Sequence, residues 1–139
     1  MNGQFLIDTG PLVSLIDRSQ RGYEWSYAVF EALPRPLLTC EPVITEACFL
    51  LSNIYGGEST VMAMVGSRDL RIAFALNEYA EDINSLMTRY DSVPMSLADA
   101  CLVKMAELHR NSTVVTMDSD FKIYRKHRNQ MIPLIMPDA

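Results

Sequence analysis

Gln4-Phe5-Leu6-Ile7-Asp8-Thr9-Gly10-Pro11-Leu12 is a short apolar run that stops abruptly at an acid and a turn signal. Such a run predicts a buried strand, then a tight turn into a helix over residues 12–16. Its counterpart lies far along the chain, where Thr113-Val114-Val115-Thr116 is β-branched throughout and predicts a second, fully buried strand. Between them, periodicity predicts a helix over 23–33 ended by Pro34 and Pro36, and a short strand over 37–39. Pro42 fits a first helical position, with the helix continuing over 43–52. Gly56-Gly57 interrupts the chain before a helix over 58–67. A strand over 70–74 and a long helix over 77–90 follow. Ser96 stands three residues before Asp99, the signature of a capping box opening a helix to about residue 109. A short helix over 121–126 and a strand over 131–135 complete the series. Strands alternating with helices imply an α/β fold, a three-layer α/β/α sandwich around a mainly parallel sheet.

With 139 residues, the chain has the length of one domain, and positions 1–139 are read as a single unit. Met1–Gly3 leads almost directly into the first strand. No apolar stretch approaches the ~20 residues that a membrane helix requires, and no signal-peptide pattern is present. Cys40, Cys48 and Cys101 are odd in number and lie in or beside apolar segments. They read as small core residues in a reducing compartment, so a cytoplasmic, membrane-free protein is expected. Seventeen acids against twelve Lys and Arg leave a net charge of −5, which disfavours non-specific attraction to nucleic acid. Either the ligand is no polyanion, or carboxylates gather where cations reverse the local sign.

The placement of the acids supports the second alternative. Asp8 follows the first strand, and Asp118 follows the 113–116 strand after one intervening residue, so both fall at carboxyl ends of parallel strands. Ligands of open α/β sheets collect along that edge. Asp99 opens a helix. Glu46 has Val43, Phe49 and Leu50 at helical offsets, an apolar neighbourhood in which a carboxylate is costly unless paired or bound to metal. Several acids with few other reactive groups suit hard cations such as magnesium or manganese, which take oxygen ligands and assist phosphodiester hydrolysis. Two histidines, no paired Cys/His spacing and no Gly-rich nucleotide motif leave nucleophilic triads, zinc sites and Walker loops without support.

Four segments carry a resemblance over essentially the whole chain: Asp8-Thr9-Gly10-Pro11-Leu12, Pro42-Val43-Ile44-Thr45-Glu46, Ser96-Leu97-Ala98-Asp99-Ala100 and Thr116-Met117-Asp118-Ser119-Asp120-Phe121. Their order and separation resemble a PIN domain, most of all the compact VapC-type branch. That resemblance implies a metal-dependent endoribonuclease leaving a 5′-phosphate and a 3′-hydroxyl. Asp8, Glu46, Asp99 and Asp118 would be its catalytic acids and hold one or two Mg2+ or Mn2+ ions. Asp120 matches a further acidic position, and Thr116, with Thr9, supplies supporting hydroxyls. The implied partners are an RNA substrate, a small antitoxin from the same operon and a second copy of the chain. The rival expectation is a PIN-like module that binds RNA or protein without cutting.

Lys122, Arg125, Lys126 and Arg128 concentrate four of the twelve basic residues near Asp118. Lys122, Tyr124, Arg125 and Lys126 fit an RNA contact, with the cations on phosphates and Tyr124 stacking on a base. An ordinary solvated helix face fits the same residues equally well.

Overall fold

The run at residues 4–7 forms β1 (Gln4–Ile7), and its last three side chains are all buried. That double burial follows from its place in the sheet. β1 pairs in parallel with β2 (Leu37–Thr39) on one side and with β4 (Ser112–Val115) on the other. β2 pairs with β3 (Leu70–Ile72), and β4 pairs with a late strand labelled β7 below (Leu134–Ile135). The order is β3-β2-β1-β4-β7, and every pairing is parallel. This computed structural model describes residues 3–138. Met1, Asn2 and Ala139, at the ends of the expected 1–139 unit, lie outside the described residues.

The chain steps outward from β1 to β2 and β3, then returns across the sheet to β4. Right-handed crossovers therefore place α1 (Thr9–Ile16), α2 (Tyr23–Ala32), α3 (Glu41–Leu50) and α4 (Gly57–Gly66) on one face. α5 (Ala80–Arg89) and α6 (Leu97–Leu108) cover the other. Within each layer α1 packs against α2 and α3, α3 against α4, and α5 against α6, while α3 and α6 also meet near their first turns. The expected three layers are thus present, with a core running from Leu12 through Leu6 to Leu102 and Met105. The reversal of strand order falls between β1 and β4, the two strands that Asp8 and Asp118 follow.

Several boundaries differ from expectation. No separate turn follows β1, because Asp8 itself caps α1 and the helix begins at Thr9. Pro11 sits in the first turn, where a missing N–H costs nothing. The strand expected over 70–74 ends at Ile72, and a 3-10 turn (Leu76–Glu78) precedes α5. The helix expected over 121–126 is instead a 3-10 turn (Ser119–Lys122) followed by a hairpin. That hairpin is β5 (Arg125–Lys126) antiparallel to β6 (Gln130–Met131). Just beyond this turn the Tyr124 amide donates to the Asp120 carbonyl, and Phe121 and Tyr124 pack edge to face with ring centroids 5.2 Å apart. The Arg125 guanidinium then closes the turn by donating to the carbonyls of Lys122, Ile123 and Tyr124. The strand expected over 131–135 is divided by Pro133 between β6 and β7.

The capping box appears as expected. The Asp99 amide donates to Ser96 Oγ, and the Ser96 amide donates to Asp99 Oδ2, each at 3.1 Å. Ser96→Ala should therefore destabilise the chain by about 1 kcal/mol, seen as a lower urea midpoint at unchanged slope. An unshifted midpoint would mean that the hydroxyl contributes nothing.

Candidate active site

Asp8 leaves β1 at the reversal of strand order, and both its carboxylate oxygens are engaged. Oδ1 accepts the Thr9 amide at 2.8 Å, the cap that starts α1. Oδ2 accepts the Thr116 hydroxyl at 2.7 Å. Thr116 directly follows the neighbouring strand and is fully buried, and its oxygen also accepts the Asp118 amide at 3.0 Å. One hydroxyl thus ties the acids after β1 and β4 together. Asp118 Oδ1 in turn accepts the Asp120 amide at 2.9 Å, which holds the 3-10 turn in place.

The other two acids arrive from opposite faces of the sheet. Asp99 stands in the first turn of α6, where it accepts the Ser96 amide and the Tyr124 hydroxyl, the latter at 3.3 Å. Glu46 lies in α3, and its Oε1 accepts the Thr9 hydroxyl at 2.7 Å. Asp8, Glu46, Asp99 and Asp118 line one cavity of about 760 Å3 together with Thr9, Gly10, Thr45, Phe49, Leu50, Ser96 and Met117. Among the described residues, no Lys, Arg or His lines it.

Packing acids together without cations has an electrostatic cost. Burial pushes the Asp8 carboxyl up to about 6, against the lowering effect of the Thr116 hydroxyl and the Thr9 amide. The nearby Asp99 and Asp118 carboxylates add to the rise. Burial also raises Asp99, and Asp118 pushes in the same direction. Oxygen-only donors at a strongly negative, partly buried position are the donor chemistry that magnesium and manganese take. As they stand, however, no three acidic, His or Cys side chains among the described residues close around a single ion. Each of the four carboxylates is turned toward an amide or hydroxyl donor.

Several expectations need correction. Glu46 does not point into the core. The stripe that α3 buries is Val43 and Ala47, so Glu46 is half-buried at the cavity, while Phe49 and Leu50 are exposed beside it. Asp120 is not among the residues that line the cavity, and its amide donates to Asp118. Tyr124 is no base-stacking platform, because its ring is 0% exposed, clamped between Phe121 and Tyr90. Its hydroxyl donates to Pro94 O and to Asp99, so it braces the site from behind. Arg125 turns one guanidinium nitrogen, Nη1, toward three backbone carbonyls. Lys122 is exposed and Lys126 half-buried.

Sequence reasoning missed Met117, which forms part of the cavity wall. A Cβ on Gly22 would come within 2.5 Å of its Cε, and one on Gly10 within 3.5 Å of its Sδ. Gly22 was the available signal, since a side chain there would displace Met117, whereas at Gly10 a Cβ would make only ordinary contact.

The family model for the PIN domain matches residues 5–127. No curated protein matches the sequence significantly. Among solved structures, VapC20 of Mycobacterium tuberculosis, a sarcin-ricin loop cleaving toxin, is similar with a TM-score of 0.78. The two are 17% identical over 86% of this chain and 94% of that one. A chain of a toxin–antitoxin complex from Klebsiella pneumoniae is similar at TM-score 0.64 and 23% identity, over 84% of this chain and 88% of that one. At these identities the likeness is one of fold.

Proposed function

This chain belongs to the PIN-domain family, and from that premise we propose that it is an endoribonuclease working with magnesium or manganese, the toxin of a toxin–antitoxin pair in the cytoplasm. The observation that carries this reading is the lining of one cavity by Asp8, Glu46, Asp99 and Asp118 with no basic side chain among them. The toxins among its structural neighbours support it. So does the absence, among the described residues, of any helix long and apolar enough to cross a membrane.

In this reading the four acids hold the cation. When bound, the cation supplies the positive charge that admits an anionic phosphodiester to an acidic cavity and polarises it for attack by water. The chain's own residues do the positioning. Thr116 orients Asp8 and, through the Asp118 amide, the turn after β4. Thr9 fixes Glu46, and Tyr124 steadies Asp99. Water adds to phosphorus and the 3′ oxygen leaves, giving a 5′-phosphate and a 3′-hydroxyl. Little else is required of the protein, because such chemistry rests on placement and charge. An antitoxin arginine, which pairs bidentately with carboxylates, would block the same cavity. A second copy of the chain is the other proposed partner.

One observation favours a non-catalytic binding module, namely that the acids as they stand do not surround one ion. Calorimetric titration with manganese separates the two readings, since a site that binds no cation gives no heat. The direct test is cleavage of total RNA. Chelator should abolish it and added magnesium or manganese restore it, while growth arrest on expression should be relieved by the adjacent open reading frame. Cleavage that persists undiminished in chelator would overturn the metal-dependent mechanism.

A further inference from the structure

On the side of the molecule covered by α5 and α6, a second cleft of about 250 Å3 lies between those helices and the β5–β6 hairpin. It is lined by Asp82, Ser85, Leu86, Arg89, Lys104, Glu107, His127 and Arg128, of which the charged groups divide into two sets. Lys104 bridges Asp82 at 3.0 Å and Glu107 at 3.3 Å, and the other Glu107 oxygen accepts the His127 amide at 2.7 Å. This chain of contacts ties α5, α6 and the hairpin tip together, with the one Lys104 charge set against two carboxylates, so that Arg89 and Arg128 leave the cleft with a single positive charge in excess. Arg89 and Arg128 have no carboxylate partner among the described residues.

The tip itself is unusual. His127 and Arg128 both have positive φ, 49° and 72°, a conformation uncommon for residues other than glycine. The Glu107–His127 bond holds the tip in that conformation, and Arg128 is thereby presented on the same cleft as Arg89. Two unpaired guanidiniums on one polar cleft suit phosphate oxygens, which they match in planar, bidentate geometry.

We propose that this cleft binds a backbone phosphate of the RNA strand whose scissile bond lies in the acid cavity. The proposal rests on the ribonuclease reading above. α6 links the two places, with Asp99 in its first turn and Glu107 eight residues on, about 12 Å along the axis. Lys122 and Lys126 lie in sequence between Asp118 and the tip, so the stretch of chain that joins the acid cavity to the cleft is itself a cationic path. That path gives an acidic protein a local means of holding a polyanion, several residues away from the carboxylates that repel it.

The test compares Arg89→Ala/Arg128→Ala with wild type on two substrates, a 20-nucleotide single strand and a tetranucleotide too short to leave the acid cavity. A control double variant, Arg18→Ala/Arg68→Ala, removes two arginines on the segments that follow α1 and α4, on the other face of the sheet. The expected result is a KM about tenfold higher on the long strand with kcat within about twofold. The salt dependence of log KM should flatten by about 1.4, the value for two contacts on single-stranded nucleic acid. Tetranucleotide cleavage and the control variant should match wild type. An unchanged KM on the long strand, or an equal loss in the control, would overturn the cleft as a site. Should wild type cleave neither RNA, the ribonuclease reading falls and this proposal with it.

Discussion

Asp8→Asn is expected to reduce RNA cleavage by roughly a thousandfold or more, while the metal-free protein becomes more stable above pH 6. The two effects share one cause. Asp8 sits at the reversal of strand order with its oxygens on Thr9 and Thr116, and Asn can keep the cap because it is itself a preferred N-cap residue. What it cannot keep is the negative charge. In the folded chain the Asp8 carboxyl is raised to about 6 from an ordinary value of 3.8, chiefly by burial. The folded state therefore holds that proton more tightly than the unfolded state does. The stability linked to it is fully present below pH 3.8 and is lost as pH rises through about 6. A shift of this size corresponds to roughly 3 kcal/mol. The difference between the wild-type and Asp8→Asn unfolding curves, measured in chelator from pH 3.5 to 7.5, should grow over that window and then level off. A flat difference would show that Asp8 carries no buried, repelled charge. A folded Asp8→Asn protein with full activity would remove Asp8 from the catalytic acids.

The second large effect is on Tyr124. As a base platform, Tyr124→Ala would weaken RNA binding and leave the fold alone. As the structure has it, the ring is fully buried, edge-on to Phe121 and to Tyr90, so the substitution empties part of the core beneath the site. The expected cost is about 3–5 kcal/mol, a large part of the stability of a domain this size. Tyr124→Phe keeps the packing and loses only the hydroxyl, with its bonds to Pro94 O and Asp99. It should cost about 1 kcal/mol. Thermal unfolding of both variants decides the matter. Wild-type stability in Tyr124→Ala, with RNA binding lost, would return the ring to the surface.

Local sequence determined the strand at residues 4–7, most of that at 112–115, the cap at Ser96, and the alternation that makes a parallel sheet. Each depends on neighbours a few residues away: apolar runs, β-branched side chains, and a serine three positions before an acid. The same local logic put Asp8 and Asp118 at one edge of the sheet, because an acid directly after a strand has little room to be elsewhere. Contacts between distant segments decided the rest. Glu46 looked buried because Phe49 and Leu50 are apolar, yet which face of α3 meets the core depends on the helices beside it, and those bury Val43 and Ala47. Tyr124 looked like a surface ring among lysines and arginines, and only its contacts with Phe121 and with the distant Tyr90 and Pro94 hold it inward. The bracing of Asp8 by Thr116 spans 108 positions, and periodicity over a short window carries no information about such a pair.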